Sequence, residues 1–407
     1  MNVLFISLVI ITDLEKRGIY PDLIKCFIKN GHHVTILSPV ERTEKGREEI
    51  IEGDGYINIR YKTLNNARTN IFEKALSTLV IDYLLKRAAK KHINRNIDLI
   101  IYATPPITLT RTITYLKSKY NALCYLLLKD ISPANIADLG IIKRNSYVYK
   151  RLRKVENKLY ELSDFIGCMS PANVAYALKN NNIAKDKIEI CPNSIMPYLF
   201  EISNSEKMAL RKKYNIKENA LLFFYGGNLG KAQMVDFIVE LLEVNKQNNN
   251  IHFFIVGGGV EYYKLAAWYL KNKNMNATIQ FNVPKHEYDV IIKIADVGLI
   301  FLDKRFEIPN FPNRILSYME NKIPVLLATD VNTDIGAIAE NNNFGKWCES
   351  GDIPSFNLLL NYFQELTLEQ RNLLGLNGFN YLLKNYHVDI SYEIIMSHFK
   401  SDRSHSA

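Results

Sequence analysis

A chain of 407 residues is longer than one hydrophobic core usually organises, and with 47% apolar residues there is material for two. The net charge of +9 points to an acidic partner: nucleic acid, anionic lipid or a phosphorylated substrate. No zinc-finger pattern, RNP-type aromatic motif or basic tail is present, which sets nucleic acid aside, and no apolar run approaches the roughly 18 residues of a spanning helix.

In chain order, MNVLFISLVIITDLEKRG opens with an apolar stretch that no basic region precedes and no small-residue cleavage site follows. It predicts a buried first strand, not a signal peptide. A helix over PDLIKCFIKNG, a strand at HVTILSP, and further strands at LIIYAT and ALCYLLL continue the alternation expected of a parallel sheet. The stretch KIEICPNSIMPYLFEISNSEKMAL breaks the pattern, and a domain boundary is expected near residue 197. The pattern then restarts with ALLFFYGG, IHFFIVGGG, TIQFNV, VGLIFL and IPVLLAT, and the chain ends on two helical stretches in FNYLLKNYHVDISYEIIMSHF. Two doubly wound α/β domains follow, with a ligand expected in the cleft between them at the carboxyl ends of their strands.

Several segments carry candidate chemistry. YATPPITL places Thr104 and Pro105 after a strand, and LLLKDISP does the same for Lys129 and Asp130. A carboxylate there either orients or deprotonates an acceptor hydroxyl, or caps the next helix. From Lys143 to Lys158, seven basic residues surround an apolar stripe of Val148, Leu152, Val155, Leu159 and Leu162. The basic side is either solvated or lies against anionic lipid, with Lys150, Arg151, Arg153 and Lys154 as contacts and Tyr147 and Tyr149 at the interface. FFYGGNLGKAQ runs from strand into a glycine turn: Gly226, Gly227 and Gly230 permit close backbone approach, and Lys231 supplies a point charge, unless the glycines serve turn geometry alone. VGGGVE lacks the third glycine and the acidic residue of a dinucleotide fingerprint; it disfavours an NAD site and is otherwise uninformative.

In RFEIPNFPNRILSYMENKIPVL, a helix starts sharply at Pro312. Its first amides and dipole are a candidate phosphate site; otherwise Pro312 merely fills the first turn, and Ile315, Leu316 and Met319 are core. None of the eight histidines has a metal-ligand partner at three or four residues, so no metal is expected. No strand leads into G-x-S-x-G, which disfavours a serine hydrolase. The five cysteines lie far apart without a C-x-x-C pair, which sets aside structural zinc and a disulfide framework and suits buried thiols in a reducing cytoplasm.

Taken together, GGNLGKAQ, IVGGG and IADVGLIFLDKRFEIPNFPNRILSYMENKIPVLLATD resemble the donor domain of retaining bacterial glycosyltransferases of the GT-B fold, above all the family-four type that attaches N-acetylated sugars in capsule and O-antigen assembly. GIYPDLIKCFIKNGHHVTILSP, DLIIYATPPITL, LLLKDISP and LSDFIGCMS are similar to that family's acceptor domain. The resemblance implies an acceptor domain over 1–197, a nucleotide-sugar donor domain over 198–385, and a crossover helix over 386–407 returning to the first domain as a hinge.

It further implies that Gly226, Gly227, Asn228 and Gly230 crowd a donor diphosphate. Lys231 would neutralise that diphosphate, and Pro312, Asn313 and Arg314 would face the same phosphates; Val283 is assigned to the donor, and Gly18, Thr104, Pro105 and Lys129 to the acceptor. Retention in this fold implies neither metal nor cofactor; the leaving diphosphate helps deprotonate the acceptor, and stabilising its charge is the main catalytic work. Two family glutamates, eight positions apart, fall on Pro309 and Ser317, so neither carboxylate is present; Glu307 stands near the first place, and Ser317 retains a hydroxyl for a ribose. The family's acceptor-domain histidine falls on Asp130, which retains the capacity to accept a proton.

The expected protein is a cytoplasmic, peripherally membrane-bound transferase that moves a sugar from a nucleotide diphosphate, UDP in the nearest type, to a polyprenyl-diphosphate-linked saccharide. A non-catalytic nucleotide-sugar-binding or scaffold subunit is the alternative. An epimerase or phosphorylase sharing this architecture lacks a visible acid-base pair, and a dehydrogenase lacks its fingerprint.

Overall fold

The computed structural model describes residues 1–42, 48–65, 71–272 and 276–400. The chain forms two compact units, one of Met1–Met196 with the residues from His387 onward, the other of Pro197–Tyr386. Of the expected crossover segment, residues 401–407 lie outside the described residues.

Unit 1 is built on β1 (Asn2–Ile6), β2 (His33–Glu41), β3 (Glu49–Gly53), β4 (Tyr56–Thr63), β5 (Leu99–Ala103), β6 (Leu123–Leu128), β7 (Phe165–Cys168) and β8 (Ile188–Ile190). They form one sheet in the order β3-β4-β2-β1-β5-β6-β7-β8. Among the described residues only β3 and β4 pair antiparallel. Helices cover both faces, so the central strands are apolar throughout instead of alternating. The alternation survives in where side chains go: β1 sends Leu4 and Ile6 to a core with Leu85, Ile113 and Leu159, and Val3 and Phe5 to a core with Leu23, Phe27 and Ile395.

The apolar stretch VLFISLVII is not strand throughout. β1 stops at Ile6, the Val9 amide donates to Ser7 Oγ at 2.9 Å, and Val9 is exposed, so the chain leaves the sheet at a serine turn. At the other end of the unit, the helix Val388–Lys400 is anchored by Ser391 Oγ, 2.8 Å from Ser194 Oγ, and by the Val388 amide donating to the Ile195 carbonyl.

Unit 2 contains β9 (Leu221–Gly226), β10 (Ile251–Val256), β11 (Ala277–Gln280), β12 (Val297–Phe301), β13 (Val325–Thr329) and β14 (Gly345–Glu349), all parallel, in the order β11-β10-β9-β12-β13-β14. Strand order reverses between β9 and β12 here, and between β1 and β5 in unit 1. In open sheets of this kind, ligands bind outside the carboxyl ends of the strands at that reversal.

Candidate functional site

In unit 2, the reversal point is where β9 runs out into Gly226 and Gly227. Gly227 has φ of 149°, and a Cβ there would lie 2.9 Å from the guanidinium carbon of Arg314. Arg314 therefore lies against the backbone of the turn, and its guanidinium stacks 4.1 Å from the centre of the Tyr225 ring. Burial opposes its charge, but the phenols of Tyr225, Tyr318 and Tyr288 together hold its pKa above the ordinary value. Its Nη1 is buried without a hydrogen-bond partner among the described residues, a situation that costs about 1–3 kcal/mol and that an oxyanion would relieve.

The second glycine cluster, from which the sequence alone yields nothing, holds the first in place. Gly227 N donates to the Val256 carbonyl and Leu229 N to the Gly258 carbonyl, both at 2.9 Å. A Cβ on Gly257 would overlap the Gly227 carbonyl oxygen, so only glycine admits this approach. Val283 is half-buried in the loop after β11, beside Asn282 and Phe281, which press on Gly258.

Beyond the turn, Gln233 fixes the chain: Gly230 N and Asn228 Nδ2 donate to its Oε1 at 3.1 and 3.3 Å. The turn does not run straight into a helix. A single 3-10 turn, Lys231–Gln233, comes first, and the helix Val235–Asn245 follows only after Met234 at φ 47°. Lys231 is exposed and has no ion pair among the described residues.

The expected amide site at the start of the next helix requires correction. The helix Arg314–Glu320 has seven residues, with Pro312 outside it and Asn313 as its cap. The amides of Ile315 and Leu316 already donate to the carbonyls of Pro312 and Asn313, at 3.2 and 3.1 Å. The cation offered here is therefore the Arg314 side chain and not the first turn of backbone. Ile315, Leu316 and Met319 are buried. Near Ser317, the phenol of Tyr288 has its pKa pushed up to about 12, chiefly by burial. Glu307 is exposed and Pro309 buried in the loop before this helix, and that loop is tied to the Lys231 turn by Asp303 N donating to the Ala232 carbonyl at 2.9 Å. Sequence reasoning missed Tyr225, Tyr288 and Gln233; the only local signal was an aromatic residue directly before the glycine pair.

In unit 1, Gly18 follows β1 and Thr104 follows β5, on either side of the reversal. A Cβ on Gly18 would meet only Pro21, at 3.6 Å, so packing does not demand glycine there; Pro105 is exposed. Thr104 Oγ1 accepts from Lys129 N and donates to the Asp130 carbonyl, each at 3.1 Å, joining the loops after β5 and β6. Asp130 Oδ1 accepts from Asn135 Nδ2 at 2.7 Å. Burial raises its pKa to about 6, with Asn135 and the Ile131 amide pulling the other way. Lys129 Nζ instead donates to the Cys191 carbonyl at 3.0 Å, and burial lowers its pKa to about 8. Its ammonium is committed to the chain after β8, which is a clamp and not the acceptor contact expected.

The basic helix is Tyr147–Leu162. Leu159 is buried, but Tyr147 and Val148 are 77% and 54% exposed, so the apolar stripe emerges at the helix's first turn. Lys150, Arg151 and Lys154 are exposed. Arg153 must be removed from the membrane set: it pairs with Glu156 and donates to the Asn180 carbonyl and Asn181 Oδ1 at 2.8 and 2.7 Å, fastening the next helix. All five cysteines are buried, and among the described residues no helix is long and apolar enough to cross a membrane.

Residues 206–380 match the family described as glycosyl transferases group 1. The protein is an enzyme of the glycosyltransferase class. A probable glycosyltransferase of Pseudomonas aeruginosa, WbjE, is 22% identical over 298 residues, 73% of this chain and 72% of its own. Among solved structures, HepE of Anabaena in complex with UDP superposes with a TM-score of 0.70 at 13% identity, over 98% of this chain and all of its own. WaaG, a glycosyltransferase involved in lipopolysaccharide biosynthesis, gives 0.64 at 16% identity over 97% and 99%. These likenesses establish the GT-B fold of the transferase.

Proposed function

We propose that the transferase moves a sugar, N-acetylated, from UDP to a polyprenyl-diphosphate-linked saccharide in surface-polysaccharide assembly, with retention at the anomeric carbon. The observation that carries the donor half is the buried, partnerless Nη1 of Arg314, held against the Gly227 backbone at the reversal point of the sheet. A diphosphate is the ligand whose oxygens suit both that fork and the exposed Lys231. A relative in fold that binds UDP supports the same choice.

Charge develops on the diphosphate as the glycosidic bond breaks, and Arg314 with Lys231 stabilises it where the glycine turn lets the phosphates approach. No metal is called on for this role. The departing phosphate helps take the acceptor proton on the same face. Asp130, with a pKa of about 6, orients the acceptor hydroxyl or relays that proton at neutral pH. Ser317 takes the place of a family carboxylate toward the ribose. Lys150, Arg151 and Lys154, with Tyr147 and Val148, would rest on the anionic inner face of the plasma membrane, where a lipid-linked acceptor resides.

The alternative is a nucleotide-sugar-binding subunit without turnover, favoured by Pro309 and Ser317 standing where the family carries glutamates. Calorimetric titration with UDP and UDP-N-acetylglucosamine, on the wild type, Arg314→Ala and Lys231→Ala, tests the donor site. Micromolar binding weakened in both variants supports it, and absence of binding by any nucleoside diphosphate refutes it. Transfer assays with lipid-linked saccharides then separate enzyme from scaffold.

A further inference from the structure

A concavity of about 500 Å3 in unit 2 has no part in the donor reading. Its floor is where Ala295 and Asp296 lead into β12, and where Ile323 and Pro324 lead into β13. Gly226 and Gly227 lie at the carboxyl end of β9, which runs parallel to β12. The two places are therefore at opposite ends of the strands, roughly 15 Å or more apart at about 3.3 Å per residue.

Three elements wall the concavity. The helix Asn204–Lys213 turns Asn204, Lys207 and Arg211 toward it, at i, i+3 and i+7. The segment that begins unit 2 contributes Leu199 and Phe200. That segment is held by Tyr198 N donating to Glu320 Oε1 at 2.7 Å, and by Lys293 Nζ, 4.2 Å from the centre of the Phe200 ring. The third wall is Lys322 with the start of the helix Leu368–Asn385, including Arg371.

The charges in this wall do not cancel. Arg211 is paired with Asp296, and Lys293 feels the attraction of Glu320 and Glu201. Lys207 and Lys322 are exposed and have no ion pair among the described residues. In addition, the Nε donors of Arg211 and Arg371 are buried with no hydrogen-bond partner among the described residues. A concave volume within the range of small-molecule sites, two ammonium groups without ion pairs and two buried orphan guanidinium donors together describe an anion site with an apolar wall.

We propose that this concavity binds an organic phosphate of about sugar-phosphate size, its phosphate near Lys207 and Lys322 and its body against Phe200 and Leu368. Its occupant would touch the segment by which the chain passes into the donor unit, and so steady that segment.

The test uses glucose 6-phosphate as probe, by calorimetric titration of the full chain. In Lys231→Ala/Arg314→Ala, which silences the donor site, binding persists if the second site exists. Adding Lys207→Gln and Lys322→Asn weakens that binding about tenfold or more. Both lysines are exposed, and Asn suits the φ of 55° at position 322, so folding is expected to survive, with thermal unfolding as the control. Loss of binding already in the donor-site variant, or binding indifferent to the Lys207 and Lys322 changes, overturns the proposal.

Discussion

The loops after β9 and after β6 hold charge in opposite ways. At the turn after β9 the backbone supplies the shape, and Arg314, from the helix before β13, lies stacked on Tyr225 with its pKa held above the ordinary value. After β6, burial moves Asp130 up to about 6 and Lys129 down to about 8, so both approach neutrality. Fixed charge suits binding a fixed anion, and a movable proton suits chemistry on a hydroxyl. On the proposed function, one loop serves holding and the other proton handling.

The largest effect that would break this assignment is kinetic. Asp130→Asn is expected to lower kcat/KM on the order of 10²–10⁴-fold while leaving UDP affinity unchanged. In the wild type, kcat/KM should fall about tenfold per unit below pH 6, and a flat profile would remove Asp130 from proton handling.

Stability gives a second, independent reading of the same carboxyl. Its folded pKa lies above the unfolded value near 4, so its contribution is fully present below about pH 4 and is lost as pH rises through about 6. Relative to Asp130→Asn, the wild type should therefore lose at most about 3 kcal/mol between those pH values, measured by denaturant unfolding.

Arg314→Ala comes next. It removes the charge-assisted contacts of a buried fork and should weaken UDP binding roughly 10–100-fold, and Lys231→Ala by less because that ammonium is solvated. Equal losses would mean that Arg314 is merely packed against Tyr225.

The smallest effect distinguishes two neighbours on one helix. Lys154→Ala should reduce partition onto anionic vesicles by about 1 kcal/mol, and leave unfolding unchanged. Arg153→Ala should instead lower the unfolding temperature, because Glu156 is buried and would lose its cation.

Much of the fold could be read in the sequence because parallel strands covered on both faces are uninterrupted apolar runs, as in LIIYA and LCYLLL. The hairpin of β3 and β4 was overlooked although Gly53-Asp54-Gly55 marks its turn, because β3, reading EIIEG, is a short charged edge strand and Arg60 and Lys62 interrupt the apolar run of β4. The strand β14, reading GKWCE, was hidden for the same reason. Within the site, glycines, Lys231, Arg314 and Asp130 were visible as residue types that chemistry needs. Their partners were not: Asn135, Tyr288 and the stacking of Arg314 on Tyr225 are facts of tertiary contact, which no local spacing encodes. Lys129 and Arg153 show the converse error, since a cation in the right segment can still point at a carbonyl or a buried glutamate.

The interlocked turns at Gly227 and Gly257 have a consequence for how such a domain changes over time. Thirty residues separate them, yet the carbonyl of one occupies the space that a side chain on the other would need. Neither loop is a free module. A transplanted GGNLG would arrive without the surface that shapes it, and a side chain acquired at Gly257 would be felt first as a displaced Gly227 and only then as lost affinity. Drift in these two loops must be concerted, so an engineer seeking a new donor has more freedom at Ser317 and Val283 than in either glycine run.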